Sequence, residues 1–125
     1  MLHALTCLLL WLHPSPSNVT RLTELVTIAA DIDSTDATEV EVEELVAICL
    51  HESRCHLRAV GDGGKSLGPW QVQGGGDSAA VALAKLRWSE RICGVGGLAP
   101  YAGARRCGDV PWVVASLLDP TLPRR

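Results

Sequence analysis

The segment Thr38–Ser53 reads TEVEVEELVAICLHES and predicts the helix around which the rest of the chain is organised. Thr38, followed three residues later by Glu41, forms the capping-box pattern of a helix N-terminus. The apolar stripe of this helix runs through Cys49, and the helical period extends it to Glu52. A glutamate on the inward face of a helix is costly unless it is paired or functional. Glu52 is therefore the leading candidate for chemistry.

Two more helices follow from apolar periodicity and terminal signals. Apolar residues over Val19–Ile32 recur at helical spacing. Asp77 or Ser78 is a suitable N-cap for an alanine-rich helix that runs to about Arg91. Trp88 of this helix is assigned to packing, because it falls in the expected apolar register. That register comprises Val81, Ala84, Trp88 and Ile92.

The remaining sequence predicts loops with little β structure. The glycine-rich stretch 59–76 is expected to form an ordered loop with a short strand near Trp70–Gln73, because its apolar residues need burial. Pro111 begins a final apolar turn or helix through Leu118, with Trp112 assigned to packing, and residues 119–125 form a flexible tail. The predicted fold class is mostly α, with at most a minor β element.

Composition limits the classes of protein to which the chain can belong. A chain of 125 residues is the size of one domain and can bury a core without obligatory metals or disulfides. Its 20% charged residues, mean hydropathy of +0.19 and net charge of −3 argue against a disordered chain or one that coats nucleic acid. We expect one globular domain over residues 18–118 that binds no nucleic acid.

Residues 1–17 have two interpretations. An apolar run from Leu2 to Leu12 ends in a segment rich in proline and serine. Its length fits the core of a signal peptide, but no basic residue precedes it and no Ala-x-Ala site follows it. An N-terminal core helix followed by a linker explains the pattern equally well. The run is too short to span a membrane, so no stable membrane insertion is expected.

The five cysteines leave several assignments open. Removal of a leader that contains Cys7 leaves four, which can pair completely. Cys49 lies on the apolar stripe and is interpreted as a small core residue, and Cys55 remains unassigned. A zinc site built on His51 and Cys55 with the two later cysteines is a weaker alternative, because no Cys-x-x-Cys pair supports it. We expect no metal and no cofactor.

Several residues supply groups suited to work on a sugar. Glu52 stands at the end of a buried helix, where apolar neighbours and the negative helix C-terminus favour the protonated carboxyl that a general acid needs. Trp70 and Gln71 offer a stacking surface and an amide for a sugar ring and its N-acetyl groups. Tyr101, the only tyrosine, can hydrogen-bond the carboxyl and orient it.

Each of these residues also has a purely structural interpretation. Glu52 can be a surface residue, Trp70 a core residue, Gln71 part of an exposed turn and Tyr101 a lid. Asp62 can position a water molecule, although its Gly-Asp-Gly-Gly context is first of all a turn sequence.

The order and spacing of these residues resemble the lytic transglycosylases and goose-type lysozymes of the lysozyme-like superfamily, particularly their short phage and actinobacterial forms. The resemblance covers about residues 45–108. It rests on Glu-Ser at a helix end, a glycine-rich polar loop, the Gly-x-x-Gln of Gly68–Gln71 and a later tyrosine beside small residues. The chain departs from the family pattern at two places. Tyr101-Ala102-Gly103 lacks the asparagine of the family's Tyr-Asn-Ala-Gly pattern. Pro69-Trp70 stands where the family commonly has Leu-Met.

The resemblance implies a lysozyme-like α-helical domain with a peptidoglycan cleft. The implied activity is that of a lytic transglycosylase, which cleaves the β-1,4 bond between N-acetylmuramic acid and N-acetylglucosamine and forms a 1,6-anhydro product. By position, Glu52 corresponds to the catalytic acid. The implied substrate-binding residues are Ser53, Gly68, Trp70, Gln71 and Tyr101.

Two alternatives stay open. A lysozyme-type hydrolase would use Asp62 to position water, because glycosidases usually employ two carboxylates. A non-catalytic cell-wall-binding or virion structural module would keep the fold without the chemistry. The expected partner is a peptidoglycan glycan strand, bound by a monomer that is extracellular or associated with the cell wall, or that belongs to a phage as a virion or lysis protein.

A disulfide between Cys93 and Cys107 is a further expectation, because the two residues flank a glycine-rich segment and the only tyrosine. It would hold Tyr101 in place across a 13-residue loop. Loop entropy alone would make this link worth about 3 kcal/mol.

Overall fold

The computed structural model describes residues 2–94, 97–101, 103 and 106–108. Its helices in these ranges are α1 (Leu2–Leu12), α2 (Val19–Asp33), α3 (Glu39–Ser53) and α4 (Ala79–Cys93). Three short strands form an antiparallel sheet in chain order: β1 (Val60–Gly61), β2 (Ser66–Leu67) and β3 (Val72–Gln73). A mostly helical fold with a minor β element is confirmed. The predicted element at 111–118, with Trp112, and the tail at 119–125 lie outside the described residues.

The start of α3 is built as its sequence predicts. Thr38 Oγ1 accepts a hydrogen bond from the Glu41 backbone N–H at 3.2 Å, and the Glu41 carboxylate accepts one from the Thr38 N–H at 3.0 Å. Glu41 also accepts two hydrogen bonds from Arg87 of α4, at 2.8 and 3.0 Å. The capping residue therefore also ties the start of α3 to α4.

The core lies where the four helices meet. α1 packs on α2 and α3, and α4 packs on the same two helices. Each helix contributes fully buried apolar side chains to this space, among them Leu8, Leu25, Ile28, Leu45 and Leu86. None of the described helices has the length and apolarity that crossing a bilayer requires.

The apolar register expected for α4 is wrong. Ala84 is exposed, and the exposed fractions of Trp88 and Ile92 are 43% and 56%. Trp88 therefore does not pack in the core. α4 turns an adjacent face inward instead. The buried residues of that face are Ala79, Ala82, Leu83, Leu86 and Ser89.

Two disulfides are present. Cys93 pairs with Cys107, as predicted, and Cys49 pairs with Cys55. Cys49 is buried as expected, but its interpretation as a simple core residue is wrong, since it is covalently linked. The pairing becomes possible because α3 ends at Ser53 and the next two residues, at φ 55° and 58°, turn the chain back.

The pairing of four cysteines has two consequences. A zinc site built on His51 and those cysteines is incompatible with this arrangement, because a metal would need their free thiolates. Disulfides persist in oxidising environments, so the two links are compatible with a secreted protein. Cys7 of α1 is the free cysteine and is buried.

A buried carboxyl of α3 lies near a glutamate of α4. Glu44 is only 2% exposed, and the charge of Glu90 acts on it. Glu44 Oε2 and Glu90 Oε1 are buried and have no hydrogen-bond partner among the described residues. Burial is the main cause that raises the pKa of Glu44 well above its ordinary value, and the nearby Glu90, Glu41 and Glu43 act in the same direction.

Glu44→Gln is expected to remove a pH-dependent loss of stability. With a raised pKa, folded Glu44 keeps a proton that the unfolded chain releases above the ordinary carboxyl pKa of 4.5. This stabilisation is complete below that pH and is lost as the pH rises through the higher folded pKa, at up to about 1.4 kcal/mol per pH unit. Urea unfolding from about pH 4 to about pH 9 measures it.

Wild-type stability should therefore fall with rising pH relative to that of Glu44→Gln. Glu39→Gln, which changes an exposed glutamate in the first turn of the same helix, is the matched control and should follow the wild-type curve. Parallel curves for the wild type and Glu44→Gln would contradict a raised pKa of Glu44 in the folded protein.

Candidate active site

An open pocket of about 400 Å³ lies beside the C-terminal end of α3, between the small sheet and α4. This volume is within the range of about 300–1,000 Å³ that is typical of ligand pockets. Four residues singled out from the sequence line it together, namely Glu52, Asp62, Gln71 and Tyr101. The other lining residues are Ser66, Gln73, Lys85 and Gly103.

Glu52 lies on the last turn of α3 and is half-buried. Burial is the largest influence on its carboxyl and raises its pKa above the ordinary value; His51 and Lys85 act in the opposite direction, and Asp62 adds to the rise. The result is a carboxyl with a raised pKa that faces an open polar pocket. The raised pKa favours the protonated carboxyl that a general acid needs.

Ser53, the residue after Glu52, does not line the pocket. Its hydroxyl donates to the Pro69 carbonyl at 2.7 Å and accepts a hydrogen bond from the His56 N–H at 3.1 Å. These bonds join the end of α3 to the glycine-rich loop. The expected contact of Ser53 with substrate is therefore replaced by a positioning role.

Arg21 of α2 holds the chain immediately after α3. Its guanidinium donates to the carbonyls of Arg54 and Cys55, at 2.6 and 2.7 Å. Glu24 pairs with Arg21 and accepts a hydrogen bond from the Leu57 N–H at 2.8 Å. Arg21 and Glu24 thus bind backbone groups just beyond the end of α3, so α2 fixes the turn that follows Glu52.

Trp70 does not offer the stacking surface expected from the sequence. It is 1% exposed and lies in the core. Its Nε1–H donates to the Leu45 carbonyl of α3 at 2.9 Å. The tight turn before β3 directs the indole towards α3 and the next side chain, Gln71, towards the pocket. The alternative interpretation of Trp70, as a core residue, is therefore correct.

Tyr101 is also placed differently from the expectation. Its hydroxyl donates to the Trp70 carbonyl at 3.1 Å, so its proton is not directed at the Glu52 carboxyl. Burial, with a smaller effect of the Glu52 charge, raises the pKa of Tyr101. The Lys85 Nζ lies 4.5 Å from the ring centre, a cation–π distance. Tyr101 therefore lines the pocket as a fixed neutral ring beside a cation.

Gln71 reaches the pocket with its amide already oriented. Its Nε2 donates to the carbonyls of Ala59 and Gly68, at 3.1 and 2.9 Å. Gly61 lies beside it, and a Cβ at this position would displace the Gln71 amide from its present place. Gly68 does not line the pocket; it is buried at φ 78°, and an added Cβ would lie 2.5 Å from Asp77 Cβ. Gly68 therefore has a structural role in the turn and not the expected contact with substrate.

Asp62 occupies the turn between β1 and β2 and also lines the pocket. It has a φ of 51°, and its carboxylate accepts a hydrogen bond from the Ser66 hydroxyl. Both interpretations made from the sequence are compatible with this position. Asp62 is a turn residue, and its carboxylate is exposed to the same space as Glu52.

Sequence reasoning did not identify Lys85 and Gln73 as pocket residues. Gln73 has a weak signal, because it is two residues after Gln71, and alternate residues of an extended segment share a face. No sequence signal marks Lys85 as a pocket residue, because its position depends on which face α4 turns towards the loop.

No protein-family model, curated protein or solved structure that was compared with this chain matches it. The resemblance to the lytic transglycosylases therefore stays a prediction that rests on the motif residues.

Trp70→Phe should destabilise the fold by about 1–3 kcal/mol, because it removes the indole hydrogen bond to Leu45 and leaves a cavity. Trp88→Phe changes a tryptophan at an exposed position and is the matched control, with an expected change within about 0.5 kcal/mol. Urea unfolding followed by circular dichroism measures both. Equal stabilities of the two variants would contradict the core position of Trp70.

Two charged neighbours of Glu52, one negative and one positive, should have opposite effects on its pKa when each is replaced by an uncharged residue. Asp62→Asn removes a negative charge and should lower the pKa, whereas Lys85→Met removes a positive charge and should raise it further. NMR titration of labelled glutamate carboxyl carbons measures both, and Glu52→Gln identifies the Glu52 signal. Shifts in the same direction would contradict the shared pocket.

Proposed function

We propose that this protein is a lytic transglycosylase of peptidoglycan, which cleaves the β-1,4 bond between N-acetylmuramic acid and N-acetylglucosamine. The observation that carries the proposal is Glu52, a half-buried carboxyl with a raised pKa at the edge of a polar pocket. A general acid needs both features, because it must hold a proton near neutral pH and must reach its substrate.

In the first step, protonated Glu52 gives its proton to the glycosidic oxygen. The bond from C1 of the muramoyl residue to that oxygen breaks, and the N-acetylglucosamine leaves with a new hydroxyl. Positive charge develops at C1 of the muramoyl ring. The carboxylate left on Glu52 is then stabilised by the positive charge of Lys85, which acts on it across the pocket.

In the second step, the Glu52 carboxylate takes the proton of the muramoyl 6-hydroxyl. The freed oxygen attacks C1 and closes a 1,6-anhydro ring, and Glu52 returns to its protonated form. The substrate's own hydroxyl replaces water, so this route needs one carboxylate rather than two. It therefore assigns both proton transfers to Glu52.

The other pocket residues suit a sugar that carries amide groups. Gln71 Nε2 is occupied by two backbone carbonyls, so its Oε1 is the atom that can accept a hydrogen bond from a substrate N-acetyl N–H. Gln73 adds a second amide on the same wall. Trp70 has no part in binding, because it lies in the core.

Asp62 favours a second candidate, a lysozyme-type hydrolase. Its carboxylate lines the same pocket and influences the Glu52 carboxyl. In that mechanism Asp62 would position a water for attack at C1, and the product would be a reducing sugar rather than an anhydro sugar. For either enzyme, the disulfides suit work outside the cytoplasm, at a cell wall, with release by a phage as the alternative route.

Glu52→Gln should reduce cleavage of purified peptidoglycan by about 10²–10⁴-fold, because the amide cannot supply the proton. Zymography and turbidity loss measure the rate, and mass spectrometry of the wild-type products identifies the reaction. Anhydro-muramoyl ends, which are lighter than reducing ends by one water, are the expected product. Glu39→Gln is the matched control and should retain full activity.

The same experiment separates the alternatives. Reducing ends alone, together with loss of activity in Asp62→Asn, would contradict the transglycosylase and favour the hydrolase. Binding to the cell wall without cleavage, by the wild type and by Glu52→Gln alike, would contradict both enzymes and favour a non-catalytic wall-binding or virion module.

A further inference from the structure

Three potential metal ligands converge between α1 and α3. His3 and Cys7 are four residues apart on α1 and therefore share one face of the helix. Glu43 faces them from α3. One ligand atom from each of the three residues, the His3 ring nitrogen, Cys7 Sγ and a Glu43 carboxylate oxygen, lies within 4.8 Å of the other two.

The separations are close to those of a zinc site. Ligand atoms about 2.0–2.3 Å from a tetrahedral zinc ion are about 3.3–3.8 Å apart. His3 Nε2 and Glu43 Oε1 already have this spacing, at 3.4 Å. The remaining separations are at most 4.8 Å, so they need to shorten by at most about 1.5 Å, which small side-chain rotations can supply. The His3 and Glu43 side chains are 40% and 48% exposed, so an ion can reach the site.

The protein itself leaves these groups without full partners. His3 Nε2 is buried and has no hydrogen-bond partner among the described residues. Cys7 is 8% exposed and is the one cysteine that is not in a disulfide. Buried polar atoms in folded proteins nearly always have a partner, and one cation among the three donors would satisfy all of them.

We propose that His3, Cys7 and Glu43 bind one zinc ion, with water as the fourth ligand. A thiolate, an imidazole and a carboxylate together form a donor set that suits zinc, whereas calcium and magnesium prefer sites made only of oxygen. The sequence did not predict this site, because two of its ligands lie in a segment that also fits a signal peptide.

The ion would bridge two helices, because its ligands come from α1 and α3. Glu43 precedes Glu52 by nine residues on α3, which corresponds to about 13 Å along the helix axis. The zinc site is therefore separate from the pocket and independent of the proposed activity. Bound zinc would join α1 to α3 directly, so it would strengthen the attachment of the N-terminal helix to the core.

The full chain, made without a histidine tag and with both disulfides formed, is the sample for the test. After removal of metals with a chelator, calorimetric titration with zinc near pH 7 should show one ion per chain, and zinc should raise the melting temperature above that measured in chelator. Titration with cobalt(II) should produce the charge-transfer absorption of a thiolate ligand. Cys7→Ser should abolish that absorption.

His3→Gln and Glu43→Gln should each weaken zinc binding by more than about tenfold, at least as much as the loss of an outer-shell partner does. Both side chains are partly exposed, so we expect these two variants to fold. They therefore test zinc binding even if Cys7→Ser fails to fold. His13→Gln, at an exposed position just beyond α1, is the matched control and should bind as the wild type does. The absence of saturable binding, or equal binding by the wild type and both ligand variants, would overturn the proposal.

Discussion

The hydrogen bond from the buried Trp70 indole to the Leu45 carbonyl fastens the glycine-rich loop to the central helix, and the pocket is arranged around this joint. An indole N–H in a core needs an acceptor, so the loop can dock on α3 in few ways. The backbone carbonyl of Trp70 also accepts a hydrogen bond from the Tyr101 hydroxyl. Its neighbour Gln71 consequently points the other way, into the pocket. One core residue thus places two walls of the site without touching a ligand.

A second constraint acts where α3 ends. The last carbonyls of a helix carry partial negative charge and lack partners. Here Arg21 and Ser53 complete the turn that follows: Arg21 donates to two carbonyls beyond the helix, and Ser53 bonds to the loop that Trp70 anchors. Glu52 stands just before these contacts and receives none of them in the described structure. Its carboxyl therefore remains available, while the backbone that carries it is fixed.

The sequence predicts those parts of the structure that depend on local chemistry. Thr38 and Glu41 mark the start of α3 because a capping box is a contact between near neighbours, and the helical period places Glu52 beside the core. Cys49 and Cys55 could not be paired in this way, since an unbroken helix would separate them by about 9 Å, more than a disulfide permits. α4 has two adjacent faces with apolar residues, so only the packed structure shows which face is buried. The position of Trp70 is not predictable for a similar reason. In a tight turn, neighbouring side chains point in opposite directions, and their polarity does not show which one points inward.

Both disulfides join residues that are close in the chain, with separations of 6 and 14. By loop entropy alone, the longer of the two links is worth about 3 kcal/mol, which adds to the stability that Leu25, Leu45, Leu86 and their neighbours give the helical core. Both links lie at the edges of the pocket, at the end of α3 and beside Tyr101. Reduction of the two links would remove covalent constraints on the turn after Glu52 and on the segment that carries Tyr101, so both would be held less firmly beside the pocket.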